Sequence, residues 1–314
     1  MKYAIITDQR VEELYGKLAC KKLLNQGYEV ELFSFPEGEK NKTRETKQAL
    51  EDALIERSYT RKSTIIALGG GVVIDLAGFL ASTFCRGVPL ILIPTTLLAM
   101  VDASIGGKNG VNTRLGKNMI GTFYSPHQII LNLSYLSTLP DEEWFNGKVE
   151  MLKAALIGDP VWFQSFHQLP LEQGIQKAIA IKQEIVNADP QETKGIRSIL
   201  NLGHTLGHAI EQASQYTIPH GQAVFMGIHL EAQIAHEMNG LDRKALQLLK
   251  ETFPPISLPL EVDLIMQALY LDKKSEQQFP CFTLLKEIGS AVSGVQVPLK
   301  LVKKILHDAT LRFR

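Results

Sequence analysis

Three of the chain's 8 histidines lie close together in the sequence, at positions 204, 208 and 220. His204 and His208 have the i and i+4 spacing that puts two side chains on one face of a helix. Neutral imidazoles together with one carboxylate are the usual ligands of a catalytic zinc ion. Spacing alone therefore predicts His204 and His208 as a ligand pair, with Glu150 as one candidate carboxylate among many acidic residues.

A run of three glycines at positions 69–71 follows the apolar run Thr64 to Leu68 and precedes a helical pattern from Val73 to Thr83. Glycines at such a turn let backbone N–H groups approach a pyrophosphate at the positive end of a helix dipole. The run is not the usual GxGxxG fingerprint. A nucleotide site and a tight turn without a ligand are about equally good interpretations.

The segment between Arg86 and Asn118 is rich in small and polar residues, and it contains Gly107-Lys108 and Gly116-Lys117. Lysines beside glycine-rich turns commonly hold phosphate or carboxylate groups. We interpret the two pairs, each near an asparagine, as an anion-binding region. The alternative is a mobile loop with ordinary surface charges.

Short β-branched runs alternate with amphipathic helical patterns through the first 140 residues, and this alternation predicts a parallel, doubly wound sheet. After Pro140 the apolar residues recur at helical spacing almost everywhere, for example over Ile199 to Gln212. We therefore expect an α/β fold, in which residues 1–140 form a nucleotide-binding domain and residues 141–314 form an all-helical domain. The predicted strands are Tyr3 to Thr7, Glu29 to Phe33, Thr64 to Leu68, Leu90 to Ile93 and Ile129 to Leu131.

The composition limits the function classes. Lys+Arg and Asp+Glu both number 33, so the formal net charge is +0 and there is no surplus of cations to hold nucleic acid or an anionic membrane. The first residues are strand-like and do not resemble a signal peptide, which favours a cytoplasmic protein. The cysteines Cys20, Cys85 and Cys281 are widely spaced and predict no disulfide framework.

Taken together, these stretches resemble the 3-dehydroquinate synthases of the sugar-phosphate cyclase family over most of the chain. The resemblance implies a nucleotide-binding α/β domain followed by a helical domain. The motifs that carry it are the residues from Gly69 to Phe79, Ile93 to Ala99, Gly106-Gly107-Lys108 with Val111-Asn112, Leu115 to Gly121, and Leu200 to Thr205.

The resemblance also implies a role for individual residues. It makes Glu150, His204 and His220 the zinc ligands, in place of the pair that spacing suggests. It assigns catalytic roles to His208, Glu192, Lys153, Arg197 and Asn201. It assigns substrate binding to Arg86, Asp102, Lys108, Lys117, Asn118, Asn146, Lys182 and Lys274, or Lys273 in place of the last. It assigns NAD binding to Asp8, Glu39, Lys42, Gly70, Gly71, Val72, Asp75, Thr95 and Thr96.

The reaction implied by the resemblance converts 3-deoxy-D-arabino-heptulosonate 7-phosphate into 3-dehydroquinate and phosphate, in the shikimate pathway. It proceeds by transient oxidation with NAD, phosphate elimination, re-reduction and an intramolecular aldol closure, with Zn²⁺, or Co²⁺ in its place, as the metal. A homodimer is implied, with Arg86 reaching the neighbouring subunit. The alternatives are another sugar-phosphate cyclase, a metal-dependent polyol dehydrogenase, or a binding protein without activity.

Four departures from the family pattern accompany the match. In one of them, Met151-Leu152-Lys153-Ala154-Ala155 replaces the common aromatic-containing version. The chain begins almost on the first strand of the nucleotide domain. Asn109-Gly110 replaces a more usual pair of small residues. Ile74 stands where the family often has a small residue, and we expect its side chain to point toward the sheet and away from the nucleotide.

Overall fold

The computed structural model describes residues 2–238, 240–271 and 280–311. It divides into two compact units, Met1–Trp144 and Phe145–Arg314. The division falls within the first turn of a long helix, Asp141–Gly158. No helix among the residues described is both long and apolar enough to cross a membrane.

The first unit is built on a parallel sheet of five strands in the order β2-β1-β3-β4-β7. All five predicted strands are present, but only Ile129 of the expected strand Ile129 to Leu131 lies in a strand. The central strands β1 and β3 are mostly buried, which is typical of parallel sheets. The second strand is added on one side of β1, and the third and later strands are added on the other side. The order of the strands therefore reverses between β1 and β3, and open α/β sheets bind ligands at such a point. The strands are β1 (Lys2–Asp8), β2 (Glu29–Phe35), β3 (Thr64–Gly69), β4 (Leu90–Pro94) and β7 (Gln128–Ile129).

Four helices accompany this sheet. The first two, α1 and α2, continue one another through a π-helical turn, Glu12–Gly16, and the third is capped by the Thr43 hydroxyl, which accepts a hydrogen bond from the Thr46 N–H at 3.1 Å. The helices are α1 (Gln9–Val11), α2 (Lys17–Asn25), α3 (Arg44–Glu56) and α4 (Gly71–Thr83).

Ile74 lies in α4 and is 0% exposed, within the apolar core that also contains Val73 and Leu76. Its buried position confirms the expectation that this side chain belongs to the core. The isoleucine, which stands where the family often has a small residue, therefore adds apolar contacts to the core.

β5 (Lys108–Thr113) and β6 (Gly116–Phe123) form an antiparallel hairpin. The alternative of a mobile loop between Arg86 and Asn118 therefore does not hold for the residues of this hairpin. Asn109 is 8% exposed and donates hydrogen bonds from Nδ2 to the Gly107 and Tyr124 carbonyls at 2.8 and 3.0 Å. Its side chain fills the space beside Gly78, where a Cβ atom would lie 1.8 Å from Asn109 Oδ1. Asn109 is thus a structural residue of the hairpin.

The second unit is mainly helical. Its helices confirm the helical periodicity after Pro140, with boundaries that differ by a few residues from those expected. They are α5 (Asp141–Gly158), α6 (Pro160–Gln164), α7 (Leu171–Ala188), α8 (His204–Ala213), α9 (His220–Glu237), α10 (Arg243–Thr252), α11 (Val262–Leu271) and α12 (Leu299–Leu311).

Two expectations for this unit need correction. It is not all-helical, because β8 (Cys281–Glu287) and β9 (Ser290–Gln296) form an antiparallel hairpin. The helix expected over Ile199 to Gln212 is interrupted: a short 3-10 helix, Arg197–Asn201, ends before Gly203, and α8 starts at His204. Gly203 has a φ of +79°, a left-handed conformation that ends one helix and lets the next begin.

Candidate metal and nucleotide sites

Glu150, His204 and His220 converge in the second unit. One ligand atom from each lies within 4.8 Å of the others, although the residues come from three different helices. The Glu150 carboxylate is 4% exposed, and the His204 Nε2 atom is 3.7 Å from its Oε1 atom. One carboxylate and two imidazoles are a donor set typical of a catalytic zinc ion, so these residues fit a divalent metal.

His204 is the first residue of α8, and its place depends on how that helix begins. Because Gly203, the residue before the helix, has no side chain to cap it, the carboxylate of Glu231 from α9 takes that role. It accepts hydrogen bonds from the backbone N–H groups of Gly203 at 2.6 Å and Leu206 at 3.1 Å. Glu231 is 0% exposed, so this buried charge is balanced by the positive end of the α8 dipole.

The imidazole of His204 is oriented by its own backbone. Its Nδ1 atom lies 3.1 Å from the Leu202 carbonyl oxygen, which can only accept a hydrogen bond. Nδ1 therefore carries the proton, and Nε2 presents a lone pair toward Glu150. Burial lowers the pKa of His204 well below its ordinary value, and the charge of Lys153 acts in the same direction. The neutral form that a metal ligand requires is thus the stable one.

Glu150 also forms an ion pair with Lys153, one turn further along α5. Both residues are 4% exposed. The Glu150 Oε2 atom has this cation beside it but no hydrogen bond of ordinary geometry. The carboxylate therefore retains capacity to bind a second positive charge, which agrees with a place in a metal site.

His220 is the first residue of α9, and its Nδ1 atom lies 3.1 Å from the Glu211 Oε2 atom. The backbone beside it is also fixed, since the Gly221 N–H donates to Asn146 Oδ1 at 2.9 Å. Burial lowers the pKa of His220, but the hydrogen bond and charge of Glu211 outweigh burial, and the net pKa is raised.

A second, overlapping group of ligand atoms contains His208, Glu211 and His220. The pair predicted from spacing, His204 and His208, occurs together in neither group among the residues described, although their ring centroids are 5.3 Å apart. Two residues on one helix face were expected to share a metal. The structure instead combines His204 with residues from two other helices, because α5 and α9 both pack their polar side chains against this end of α8.

Other residues with a predicted catalytic or substrate role lie in the same unit. Lys182 and Arg197 are 9% and 3% exposed, which is unusual for cations and requires compensating partners. Arg197 donates from Nη1 to the Pro190 carbonyl at 3.0 Å, and its loop is held by the Asp189 carboxylate, which accepts bonds from several backbone N–H groups. Asn201 and His208 are exposed, and Glu192 is half-buried with a φ of +56°.

In the first unit, the glycine turn lies between β3 and α4. No side chain caps the N-terminus of α4, so its first N–H groups are directed into the turn. A Cβ atom at Gly70 would lie 3.0 Å from Thr96 Cγ2, so glycine is needed there for close packing.

Thr95 is 4% exposed and Thr96 caps the following turn by accepting from the Ala99 N–H at 3.1 Å. Val72 is partly buried beside the core.

Asp8 ends β1 and has a clear structural role. Its Oδ1 atom accepts a hydrogen bond from the Val11 N–H at 2.8 Å and so caps α1. Burial raises the pKa of Asp8, while that bond acts against the increase. A contact with a nucleotide would be an additional role.

Lys42 lies at the centre of a polar network that joins several predicted residues of the first unit. It is 3% exposed, forms an ion pair with Asp75, and donates to Asn118 Oδ1 at 2.6 Å. Asn112 connects the network to Glu39: its Nδ2 donates to Glu39 Oε1 at 2.7 Å, and its Oδ1 accepts from the Asn118 N–H at 2.9 Å. The strand β5 is therefore linked to the loop after β2.

The remaining predicted residues lie mostly at the surface. Arg86, Lys108 and Lys117 are exposed, and Asp102 is half-buried in a π-helical turn, Ala99–Ala103. Arg86 and the preceding Cys85 both have left-handed backbones, with φ of +69° and +49°. Lys273 and Lys274 lie outside the described residues.

The fold has counterparts among solved structures. The crystal structure of 2-deoxy-scyllo-inosose synthase complexed with carbaglucose-6-phosphate, NAD⁺ and Co²⁺ has a TM-score of 0.89 and 29% identity, covering 98% of this chain and 90% of that chain. ValA, a 2-epi-5-epi-valiolone synthase from Streptomyces hygroscopicus subsp. jinggangensis 5008 with NAD⁺ and Zn²⁺ bound, has a TM-score of 0.87 and 27% identity, covering 99% and 91%. An iron-containing alcohol dehydrogenase from Thermotoga maritima shares the fold alone, with a TM-score of 0.62 and 18% identity over 99% and 92%. The chain is thus of the class of these synthases.

Comparisons with curated relatives and with family models show which family within this class the chain matches. The 3-dehydroquinate synthase of Coxiella burnetii (strain CbuG_Q212) is 40% identical over 97% of this chain and 89% of its own length. That of Thermococcus kodakarensis is 44% identical over 92% and 84%. Models of the 3-dehydroquinate synthase N-terminal and C-terminal regions match residues 32–146 and 147–275. The chain belongs to the 3-dehydroquinate synthase family.

Three residues with a clear place in these sites were not predicted as site residues: Glu211, Glu231 and Asn112. Glu211 is seven residues after His204 and therefore on the same helix face, which is a signal that the sequence contains. Glu231 lies among apolar residues of α9, and Asn112 lies in one of the quoted motifs. Neither position indicates its partner without the tertiary structure.

Proposed function

We propose that this chain is an enzyme, a 3-dehydroquinate synthase, which converts 3-deoxy-D-arabino-heptulosonate 7-phosphate into 3-dehydroquinate and phosphate. The observation that carries the proposal is the convergence of Glu150, His204 and His220 within a unit matched by the family's C-terminal model. Relatives with this activity in their name are 40% and 44% identical to the chain, against 29% and 27% for cyclases named for other products.

The cofactors are NAD and one divalent ion, Zn²⁺ or Co²⁺. We assign the ion to Glu150, His204 and His220 in the helical domain, predicted as residues 141–314. We assign NAD to the α/β domain, predicted as residues 1–140, where the uncapped start of α4 and the glycine turn suit a pyrophosphate. When bound, the ion supplies a Lewis acid for the substrate hydroxyl and NAD supplies a hydride acceptor.

The buried cations of the second unit suit a substrate with phosphate and carboxylate groups. Lys153, Lys182 and Arg197 are each at most 9% exposed, so an anionic group that reaches them leaves water and interacts strongly. Lys153 is already paired with Glu150, which keeps its ammonium group oriented before substrate arrives. His208, exposed and near both His204 and His220, is positioned to exchange a proton with substrate or solvent.

In unit 1, the network around Lys42 is suited to nucleotide binding. Lys42 holds Asp75 and Asn118 in fixed positions, and Asn118 has a φ of +56°. Non-glycine residues in this conformation are found at ligand sites more often than elsewhere, and asparagine adopts it more readily than most. We assign Asn118 to substrate binding. The residues that we assign to NAD are Asp8, Glu39, Lys42, Gly70, Gly71, Val72, Asp75, Thr95 and Thr96.

The proposed working form is a cytoplasmic homodimer. Its support is the exposed Arg86, which follows Cys85 in a pair of residues with left-handed backbones after α4. Sedimentation of the protein under assay conditions tests this form. Active monomers would contradict it.

The decisive assay measures phosphate release from 3-deoxy-D-arabino-heptulosonate 7-phosphate with catalytic NAD. We expect phosphate without a net rise in NADH absorbance. Sedoheptulose 7-phosphate and glucose 6-phosphate serve as competing substrates for other cyclases, and faster turnover of either would overturn the substrate assignment. Net NADH production would indicate a polyol dehydrogenase.

Lys153→Met and Lys148→Met are matched variants on the same helix, since Lys153 is buried beside Glu150 and Lys148 is exposed. Loss of the buried cation should remove about 2–5 kcal/mol of transition-state stabilisation, measured from kcat/KM. Lys148→Met should have nearly the same kcat/KM as the unmodified enzyme. Equal effects of the two changes would remove Lys153 from the proposed machinery.

A further inference from the structure

The carboxylate of Glu211 contacts the Nδ1 atom of His220, a proposed metal ligand. Glu211 is in the last turns of α8, and its side chain is 4% exposed, against 33% for His220. A buried carboxylate is costly unless a hydrogen-bond donor or a cation compensates it. The ring of His220 supplies that donor, because Nδ1 is 3.1 Å from Glu211 Oε2.

The loop between α8 and α9 is shaped so that this contact forms. The Glu211 carbonyl accepts hydrogen bonds from the Tyr216 N–H at 2.7 Å and the Ser214 hydroxyl at 2.9 Å. Gln215 and Tyr216 both have left-handed backbones, with φ of +53° and +61°. These strained residues reverse the chain over a short distance and return it to the side of Glu211.

The direction of this hydrogen bond determines which nitrogen of His220 is available. An ionised carboxylate only accepts, so the proton of the neutral ring must be on Nδ1. Nε2 is then left with its lone pair, as it is in His204, where the Leu202 carbonyl has the corresponding role. Both rings thus offer Nε2 as the donor atom.

We propose that Glu211 is a positioning residue for the metal site: it holds His220 in the tautomer and orientation that bind the ion, and it is not itself a ligand. This inference rests on the proposed function only in taking Glu150, His204 and His220 as the ligands. In the second group of ligand atoms only His220 is then a ligand, and Glu211 and His208 lie beside the metal site. Carboxylates that accept from the distal nitrogen of a ligating histidine also increase the basicity of the ring.

The alternative arrangement uses Glu211 and His208 as ligands together with His220. It is disfavoured because a metal bound to Glu211 and to Nδ1 would have to displace the hydrogen bond between them. It would also leave the buried Glu150 with Lys153 as its principal partner. The two arrangements differ in what an amide at position 211 can do, since an amide oxygen accepts a hydrogen bond but is a poor metal ligand.

The test measures Zn²⁺ affinity of the metal-free full chain by competition with a chromophoric chelator, without NAD or substrate. Glu211→Ala should weaken binding by about 10–100-fold. Glu211→Gln should recover most of that loss, because its Oε1 atom still accepts from Nδ1. Asp189→Asn is the matched control, a second buried carboxylate of the same unit that bonds only backbone N–H groups in the contacts described; it should change thermal stability but not Zn²⁺ affinity.

Co²⁺-substituted protein supplies a second readout. Glu211→Gln should keep the visible absorption of the unmodified site, since the ligands are unchanged, whereas Glu150→Gln should alter it. A Glu211→Gln variant that loses Zn²⁺ as completely as Glu150→Gln and changes the spectrum would make Glu211 a ligand and overturn the inference.

The outcomes separate this inference from the proposed function. Unchanged Zn²⁺ affinity in Glu211→Ala, with tight binding by the unmodified chain, overturns only the positioning role. A chain that binds no Zn²⁺ or Co²⁺ at all overturns both the metal assignment and this inference. Phosphate release is measured separately, so its absence in a chain that binds metal normally would count against the proposed function alone.

Discussion

Replacing Gly78 by alanine tests how the first unit accommodates Asn109. An added Cβ atom would lie 1.8 Å from Asn109 Oδ1 and 2.4 Å from its Cγ, far inside van der Waals contact. The asparagine must therefore move. It is 8% exposed and holds the Gly107 and Tyr124 carbonyls through Nδ2, so movement breaks those two hydrogen bonds.

The magnitude follows from three contributions. Overpacking of a well-filled core costs about 1–3 kcal/mol. Loss of two buried hydrogen bonds costs about 1 kcal/mol each. Alanine is a better helix former than glycine by about 1 kcal/mol, which offsets part of the cost. Gly78→Ala should therefore lower the free energy of unfolding by about 2–4 kcal/mol.

A double-mutant cycle with Asn109→Ala isolates the contact. Asn109→Ala removes Oδ1 and Cγ, the two atoms nearest to the added Cβ, and leaves only the Cβ of residue 109 at 3.1 Å. The double variant should therefore be more stable than the sum of the two single effects by at least ~1 kcal/mol. Urea denaturation, with hydrogen exchange in α4 and β5 as a local probe, measures each free energy. Gly16→Ala is the control in the same unit, because its Cβ would meet Leu32 at an ordinary 3.4 Å. Additive effects of Gly78→Ala and Asn109→Ala would refute the reasoning.

Three further changes test other features. Ile74→Ala should cost about 2–5 kcal/mol of stability, because Ile74 is 0% exposed, and should leave the NAD dissociation constant measured by calorimetry nearly unchanged. Burial, with a smaller effect of Lys250, lowers the pKa of His229 from 6.5 to about 4. Between pH 4 and pH 6.5 the unfolded chain therefore binds more protons than the folded chain. The free energy of unfolding has its full value above about pH 6.5 and decreases toward pH 4, by roughly 3 kcal/mol in total. His229→Gln should reduce this pH dependence in denaturation experiments. Glu231→Gln should weaken both bonds that start α8 and lower stability by about 2–3 kcal/mol in thermal unfolding, and an unchanged midpoint would contradict the capping role.

The parallel sheet could be predicted from the sequence chiefly because its central strands, β1 and β3, are largely buried. All six residues of β3 are buried, which produces a continuous apolar run. The hairpin of β5 and β6 lacks that signal. The strand β5 reads Lys-Asn-Gly-Val-Asn-Thr, with few residues of high β-propensity, and it is stabilised by contacts with α4 that a local pattern does not contain.

The proposed metal site could be predicted only in part from the spacing of residues in the sequence. The i and i+4 rule identified His204 but paired it with His208, since the rule compares residues on one helix. The position of His220 depends on the strained turn at Gln215 and Tyr216, which precedes it. The local sequence does not indicate where this turn places the start of α9. Glu150 was one of 33 acidic residues, and only the resemblance of longer motifs distinguished it.

Buried carboxylates on apolar helices are the signal that a sequence does offer for such sites. Glu231 lies between Leu230 and Ala232, both buried, at a position where an ionised group must find donors or destabilise the fold. Glu211 is in the same situation beside Ile210. The sequence therefore predicts that each glutamate has a partner, while the partner itself, a helix N-terminus for Glu231 and an imidazole for Glu211, is decided by the packing of α8 against α9. Because both partners belong to residues at the start of a helix that carries a proposed ligand, the two carboxylates stabilise the fold and position the site at the same time.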